Sequence, residues 1–135
     1  MTPTIPLNAV GRLASELRSM SSAPKQGNEG APDAWLKLAP EYADGLMGLQ
    51  VGDPLTILTW LHQARWDVLH VHPRQDASQP MKGVFATRSP HRPNPIGIHC
   101  VQVLAITQDG IKVGPIEAID GTPVLDIKIS LRSDD

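Results

Sequence analysis

The chain has 135 residues, a formal net charge of −2 and 41% hydrophobic residues, enough for one domain with its own core. Aromatics make up only 4%, so that core must be mainly aliphatic, and the near-neutral charge excludes an evenly basic nucleic-acid surface while leaving room for a local basic patch. One cysteine excludes an internal disulfide, and there is neither a signal-peptide centre nor an apolar run of the roughly 18 residues a membrane span needs, which reads as a cytoplasmic protein.

Residues 8–17 read as a first strand anchored by Val10, Leu13 and Leu17, with Gly11 marking a bulge or a close approach. Residues 19–33 are dominated by Ser, Pro, Gly and Asn, the composition of a mobile loop. A short strand follows at 34–38, and Pro40 with Glu41 behind it opens a short helix over 40–46. After a turn at 48–54, residues 55–61 are apolar on both faces and form a central strand. Residues 67–72 read as another strand, with His70 and His72 on one face. No third ligand stands at useful spacing, so this pair reads as a polar strand face and no metal is expected. A loop over 73–82 leads on. Residues 98–106 form a long strand apolar on both faces and interrupted by His99 and Gln102. Asp109-Gly110 turns it back into 111–113, Asp120-Gly121-Thr122-Pro123 makes a tight turn, and 124–131 closes the set. Short strands at regular spacing with one helix between them predict an all-β fold, a small single-domain barrel with long loops over residues 1–135. No Gly-x-Gly-x-x-Gly stands between a strand and a helix, which disfavours a doubly wound nucleotide fold.

The stretch the chain is organised around is GVFATRSPHRPNPIG, residues 83–97. It reads as a strand through Val84, Phe85, Ala86 and Thr87 and then breaks into a segment with Pro90, Pro93 and Pro95. Each proline fixes its own φ and restricts the residue before it, so Arg88, His91, Arg92 and Asn94 ride on a stiff loop. Rigid loops carrying charge are where binding sites are built.

This stretch, followed by DGTPVLDIK at residues 120–128, closely resembles the TsaA-like family, whose characterised branch is the TrmO-type tRNA methyltransferases. The resemblance implies a small β-barrel, usually a homodimer, that binds S-adenosylmethionine and methylates the exocyclic nitrogen of threonylcarbamoyl-adenosine beside the anticodon of tRNA. The family has a cofactor-contacting Pro-Arg-Gln where this chain has Pro24-Lys25-Gln26, which keeps the charge but loses the planar fork of arginine. The family strand matching 55–61 also ends in a histidine near the cofactor, which makes His62 a candidate beside its alternative as a structurally bonded strand end. The resemblance thus implies Lys25, Gln26, His62, Arg88, Ile98, Asp120, Gly121, Thr122 and Pro123 as the cofactor set. Within it Arg88 suits a carboxylate or phosphate, Ile98 an apolar wall, and Gly121 unobstructed backbone groups.

Of the two loop arginines, Arg88 goes to the cofactor and Arg92 to phosphate or to loop structure, with Asn94 beside it on the substrate side. Lys82, Arg65 and Arg74 are the further cations that could face tRNA. A base that took a proton from the amide nitrogen would assist transfer, and Asp126, His91 and Asp120 are the motif residues suited to it. Two departures bear on the acceptor. Lys128 is followed by Ile129-Ser130 where the family commonly has Pro-Tyr, and the chain stops at Asp135 without the extra C-terminal domain of some tRNA-acting relatives. The alternatives are the same methyltransferase fold acting on a small molecule or a protein, and a non-catalytic S-adenosylmethionine-binding regulatory module.

Overall fold

The computed structural model describes residues 3–18 and 30–131. Its strands are β1 (Gly11–Ala14), β2 (Ala34–Leu38), β3 (Pro54–Trp60), β4 (His70–Val71), β5 (Lys82–Gly83), β6 (Ile96–Ile106), β7 (Gly110–Gly114) and β8 (Pro123–Ile129). Six of them close an antiparallel barrel in the order β1-β2-β7-β6-β3-β8, and β4 pairs with β5 as a separate two-stranded ribbon. The expected all-β barrel is what forms. Closure leaves no sheet edge, which is how so short a chain satisfies its strand backbones.

The side-chain alternation of the strands sorts the barrel into inside and outside. Leu13, Leu36, Leu55, Ile57, Val103, Ile111, Val113 and Val124 point inward and are almost wholly buried. The core is aliphatic, as the composition requires, and each such side chain contributes about 1.5–3 kcal/mol on burial. Residues 40–46 form a 3-10 helix, wound more tightly than an α-helix, with Pro40 in its first turn and Leu46 packed on the core. At the far end of β8 the Ser130 N–H bonds the Pro54 carbonyl and its hydroxyl meets Thr56, a clasp between β8 and β3.

Three segments differ from the sequence expectation. The first strand covers only Gly11–Ala14, because beyond Ala14 the Ser15 N–H bonds the Asp120 carboxylate and the Leu17 N–H bonds the Ser15 hydroxyl, which peels the backbone off the ladder. Gly11 itself is a close approach, passing against the Lys37 carbonyl of β2. The strand expected over 67–72 is confined to His70–Val71, since its partner β5 offers only Lys82–Gly83. Residues 84–86, expected to be extended, wind into a 3-10 turn. There the Val84 carbonyl collects the Thr87 N–H, the Thr87 hydroxyl and the Arg92 guanidinium, and β pairing has no carbonyl left to use.

Topology places three connections at one end of the barrel: β1 to β2, β3 to β6, and β7 to β8. The second is the largest, a lobe of residues 61–95 that holds the β4–β5 ribbon. Its roots are sewn together by the Leu61 N–H to the Pro95 carbonyl and the Arg92 N–H to the Arg65 carbonyl.

Candidate functional site at the loop end of the barrel

All the sequence-selected residues of the lobe and of the 120–123 turn gather at this end. His62 is exposed where β3 leaves the barrel, Arg88 and Asn94 are exposed on the lobe, and Ile98 faces outward on β6. Lys25 and Gln26 belong to the β1–β2 connection and lie outside the described residues.

The two arginines of the proline-rich loop have different fates. Arg92 is half-buried and turned inward, with Nε donating to the Ser89 carbonyl at 2.9 Å and Nη2 donating to the carbonyls of Thr87 at 2.7 Å and Val84. Around it the Ser89 N–H bonds the Thr87 hydroxyl and the His91 N–H bonds the Ser89 hydroxyl. Of the two roles open to Arg92, loop structure is the one its contacts fill. Arg88 is exposed and, among the described residues, has no hydrogen-bond or ion-pair partner. A rigid loop thus presents one uncommitted guanidinium fork, the group suited to a carboxylate.

The turn is built on a positive φ. The Thr122 N–H bonds the Ile119 carbonyl, Gly121 sits at φ +81°, and the Thr122 hydroxyl, fully buried, donates to the Ile119 carbonyl at 2.6 Å. This is a type II turn, whose third position needs glycine. The space above Gly121 is open. Its backbone groups are nonetheless engaged: the N–H donates to the Leu13 carbonyl, and the C=O accepts from Arg12 at 3.1 Å. The unobstructed Gly121 groups expected from the sequence are therefore partly spent on β1. Asp120 is spent likewise, one carboxylate oxygen taking the Ser15 N–H at 2.9 Å and the other Arg18 at 2.7 Å. It moors the chain that leads toward Lys25.

None of the three base candidates stands free at this end. His91 Nδ1 accepts the Arg65 N–H at 2.9 Å, so that nitrogen is already engaged. Asp126 lies midway along β8, paired with Lys128 at 3.4 Å, and lines a groove of about 500 Å³ with Asp53, Tyr42 and Leu46 that opens toward the opposite end. Arg65, a candidate for phosphate, grips Asp67 through two bonds of 3.1 Å. That hydrogen bonding holds the Asp67 carboxyl below its usual range and raises Arg65. Lys82 remains exposed on the ribbon. Among the described residues no three His, Cys, Asp or Glu side chains are grouped to hold a metal, and His72 Nδ1 is bonded to the Gln79 carbonyl.

His99, which in the sequence only interrupts an apolar strand, belongs to a buried chain of polar side chains. His99 points into the barrel, 2.7 Å from Glu117 Oε1 through Nδ1 and 2.7 Å from the Thr59 hydroxyl through Nε2. A carbon on Gly97 would stand 2.6 Å from Thr59 Oγ1 and 2.8 Å from His99 Nε2, so the last glycine of the proline-rich motif makes room for this chain. On β6 His99 faces inward and Ile96 and Ile98 face outward, the reverse of the usual order.

A family model described as the tRNA-methyltransferase O N-terminal domain matches residues 12–135. A probable S-adenosyl-L-methionine-binding protein of Archaeoglobus fulgidus is 42% identical over 124 residues, covering 92% of this chain and 33% of that protein. Another, from Methanothermobacter thermautotrophicus, is 38% identical over 124 residues, covering 92% of this chain and 88% of its own length. The crystal structure of TrmO from Pseudomonas aeruginosa superposes with a TM-score of 0.78 at 29% identity, over 98% of this chain and 59% of that one. The chain therefore spans a third of the A. fulgidus relative and just over half of the TrmO structure. With the family model matching residues 12–135, nearly the whole chain, the chain belongs to the family of the tRNA-methyltransferase O N-terminal domain.

Proposed function

We propose that this domain binds S-adenosylmethionine at the loop end of its barrel and transfers the methyl group to threonylcarbamoyl-adenosine of tRNA, working as a homodimer. The observation that carries the reading is the uncommitted Arg88 fork on a loop that Arg92 holds rigid. The residues present fit the cofactor: Arg88 matches its carboxylate, the outward Ile96 and Ile98 offer an apolar wall, and the open face above Gly121 leaves space for a polar edge. The names of the relatives and the family model support the same ligand. Bound there, S-adenosylmethionine supplies an electrophilic methyl group on a sulfonium.

The protein's contribution is alignment and exclusion of water. Arg88 orients one end of the ligand, the moored turn its other end, and Asn94 and Lys82 stand on the lobe where an acceptor strand would approach. Incubation with labelled S-adenosylmethionine and bulk tRNA is expected to label tRNA that carries the threonylcarbamoyl group and not tRNA that lacks it. Equal labelling of both, or of neither, would turn the reading toward another acceptor.

Exposed apolar side chains support the dimer. Phe85 is 81% and Trp66 71% exposed on the lobe, with Leu69 and Met81 exposed beside them in the chain. So many large apolar groups on one lobe mark an interaction surface. Light scattering at tens of micromolar is expected to give a mass near twice the 14.6 kDa of one chain, and a monomer mass would count against it.

A further inference from the structure

The Thr59–His99–Glu117 chain has no part in the methyl-transfer reading, and its burial limits what it can do. Thr59 is 0% and His99 3% exposed, so no substrate reaches them, and only Glu117, at 19%, touches the surface. The carboxylate can only accept, so His99 Nδ1 carries a proton, and in the neutral ring Nε2 accepts from the Thr59 hydroxyl. Both imidazole nitrogens then have a partner, and among the described residues no buried side-chain N or O lacks one. A closed, buried network of this kind specifies position.

What it positions follows from the elements it joins. Thr59 lies on β3 just before the chain reaches His62, and His99 follows Ile98 on β6. Glu117 belongs to the segment between β7 and β8, residues 115–122, whose second half is the turn. Residues 115–119 lie in no strand, so the barrel ladder does not set their path. Ile116, Ala118 and Ile119 bury their side chains, and the Ile116 N–H bonds the Pro32 carbonyl. Apolar burial tolerates sliding, whereas a 2.7 Å hydrogen bond from Glu117 to a fixed imidazole does not.

We propose that the His99–Glu117 hydrogen bond is a positioning contact for cofactor binding: it fixes residues 115–119, and through them the 120–123 turn, relative to the loop that carries Arg88. The Thr59 hydroxyl has the lesser task of holding the ring in the tautomer that makes this bond. The inference rests on the reading that the turn lies at the cofactor site.

The two arms of the imidazole can be separated. An asparagine amide nitrogen stands where Nδ1 stands, so His99→Asn keeps the bond to Glu117 and loses Thr59. His99→Gln places its amide near Nε2 and does the reverse. Glu117→Gln keeps an acceptor for Nδ1–H, and Glu117→Ala removes it. Titration calorimetry with S-adenosylmethionine is expected to find His99→Asn and Glu117→Gln within roughly threefold of the unaltered protein, and His99→Gln and Glu117→Ala weaker by about tenfold or more. Thermal unfolding measured in parallel should give His99→Asn and His99→Gln similar losses of Tm, since each gives up one buried hydrogen bond. Equal weakening in those two, or affinities that fall in step with Tm across all four variants, overturns the positioning role. Gly121→Val separates this from the reading beneath it, because a β-branched residue at φ +81° distorts the turn directly. If Gly121→Val binds S-adenosylmethionine unchanged, the turn is not at the site and both readings fall. If it weakens binding while His99→Gln does not, only the positioning role falls.

Discussion

Replacing Arg88 by alanine is expected to weaken S-adenosylmethionine binding roughly ten- to a hundred-fold, on the order of 1.5–3 kcal/mol for one charge-assisted contact, while leaving Tm unchanged. Both halves of this expectation come from the same fact. Arg88 is exposed and, among the described residues, has no hydrogen-bond or ion-pair partner, so its removal takes nothing from the fold. The cost of holding a guanidinium at the ligand is already met by the loop, which Pro90, Pro93, Pro95 and the Arg92 contacts keep in one shape. Arg88→Lys should recover only part of the affinity, because an ammonium keeps the charge but not the fork. Calorimetry that finds the alanine variant binding as tightly as the unaltered protein would remove Arg88 from the site.

Arg92→Ala is expected to do the opposite first and the same second. Three loop carbonyls lose the bond from Arg92, though Val84 keeps its bonds from Thr87; bonds from a charged group to a carbonyl contribute about 1.5–3 kcal/mol each, and three from one guanidinium do not add fully. A loss of about 2–4 kcal/mol in stability and a fall in Tm on the order of 10 °C should follow. Affinity for S-adenosylmethionine should drop as well, because the freed loop must be ordered again on binding. Arg92→Lys should restore little, since a single ammonium cannot reach three carbonyls in the plane of a guanidinium. The diagnostic comparison is between the two alanine variants: Arg88→Ala loses affinity alone, Arg92→Ala loses stability and affinity together. An Arg92→Ala protein with unchanged Tm and unchanged affinity would mean that the clamp does not shape the loop.

Much of the architecture could be read from the chain because it depends on local patterning. The short apolar strands over 34–38 and 55–61, the Asp109-Gly110 turn and the regular spacing of such runs are properties of neighbouring residues, and they led to a small all-β barrel. The stiffness of residues 88–95 was equally legible, since proline restricts the backbone wherever it stands. Strand ends were less so. Residues 15–17 and 84–86 carry strand-like side chains, yet Asp120 and Arg92, distant or displaced in sequence, draw off the backbone groups that a ladder would need.

The division of labour between Arg88 and Arg92 could be raised from the sequence but not decided there. Two arginines four residues apart on a rigid loop are chemically alike, and only the folded loop shows which one has carbonyls within reach. The same holds for His99. Alternation along residues 96–106 places His99 and Gln102 on opposite faces, but which of them enters the core depends on how the barrel closes. Its partners, Thr59 on β3 and Glu117 beyond β7, meet it only after closure, and Gly97 acquires its purpose from the same event. Motif and strand are determined by residues a few positions apart, and the chain carries those in full. Pairing of a buried polar group is determined by register between distant strands, and that is settled only when the sheet returns upon itself.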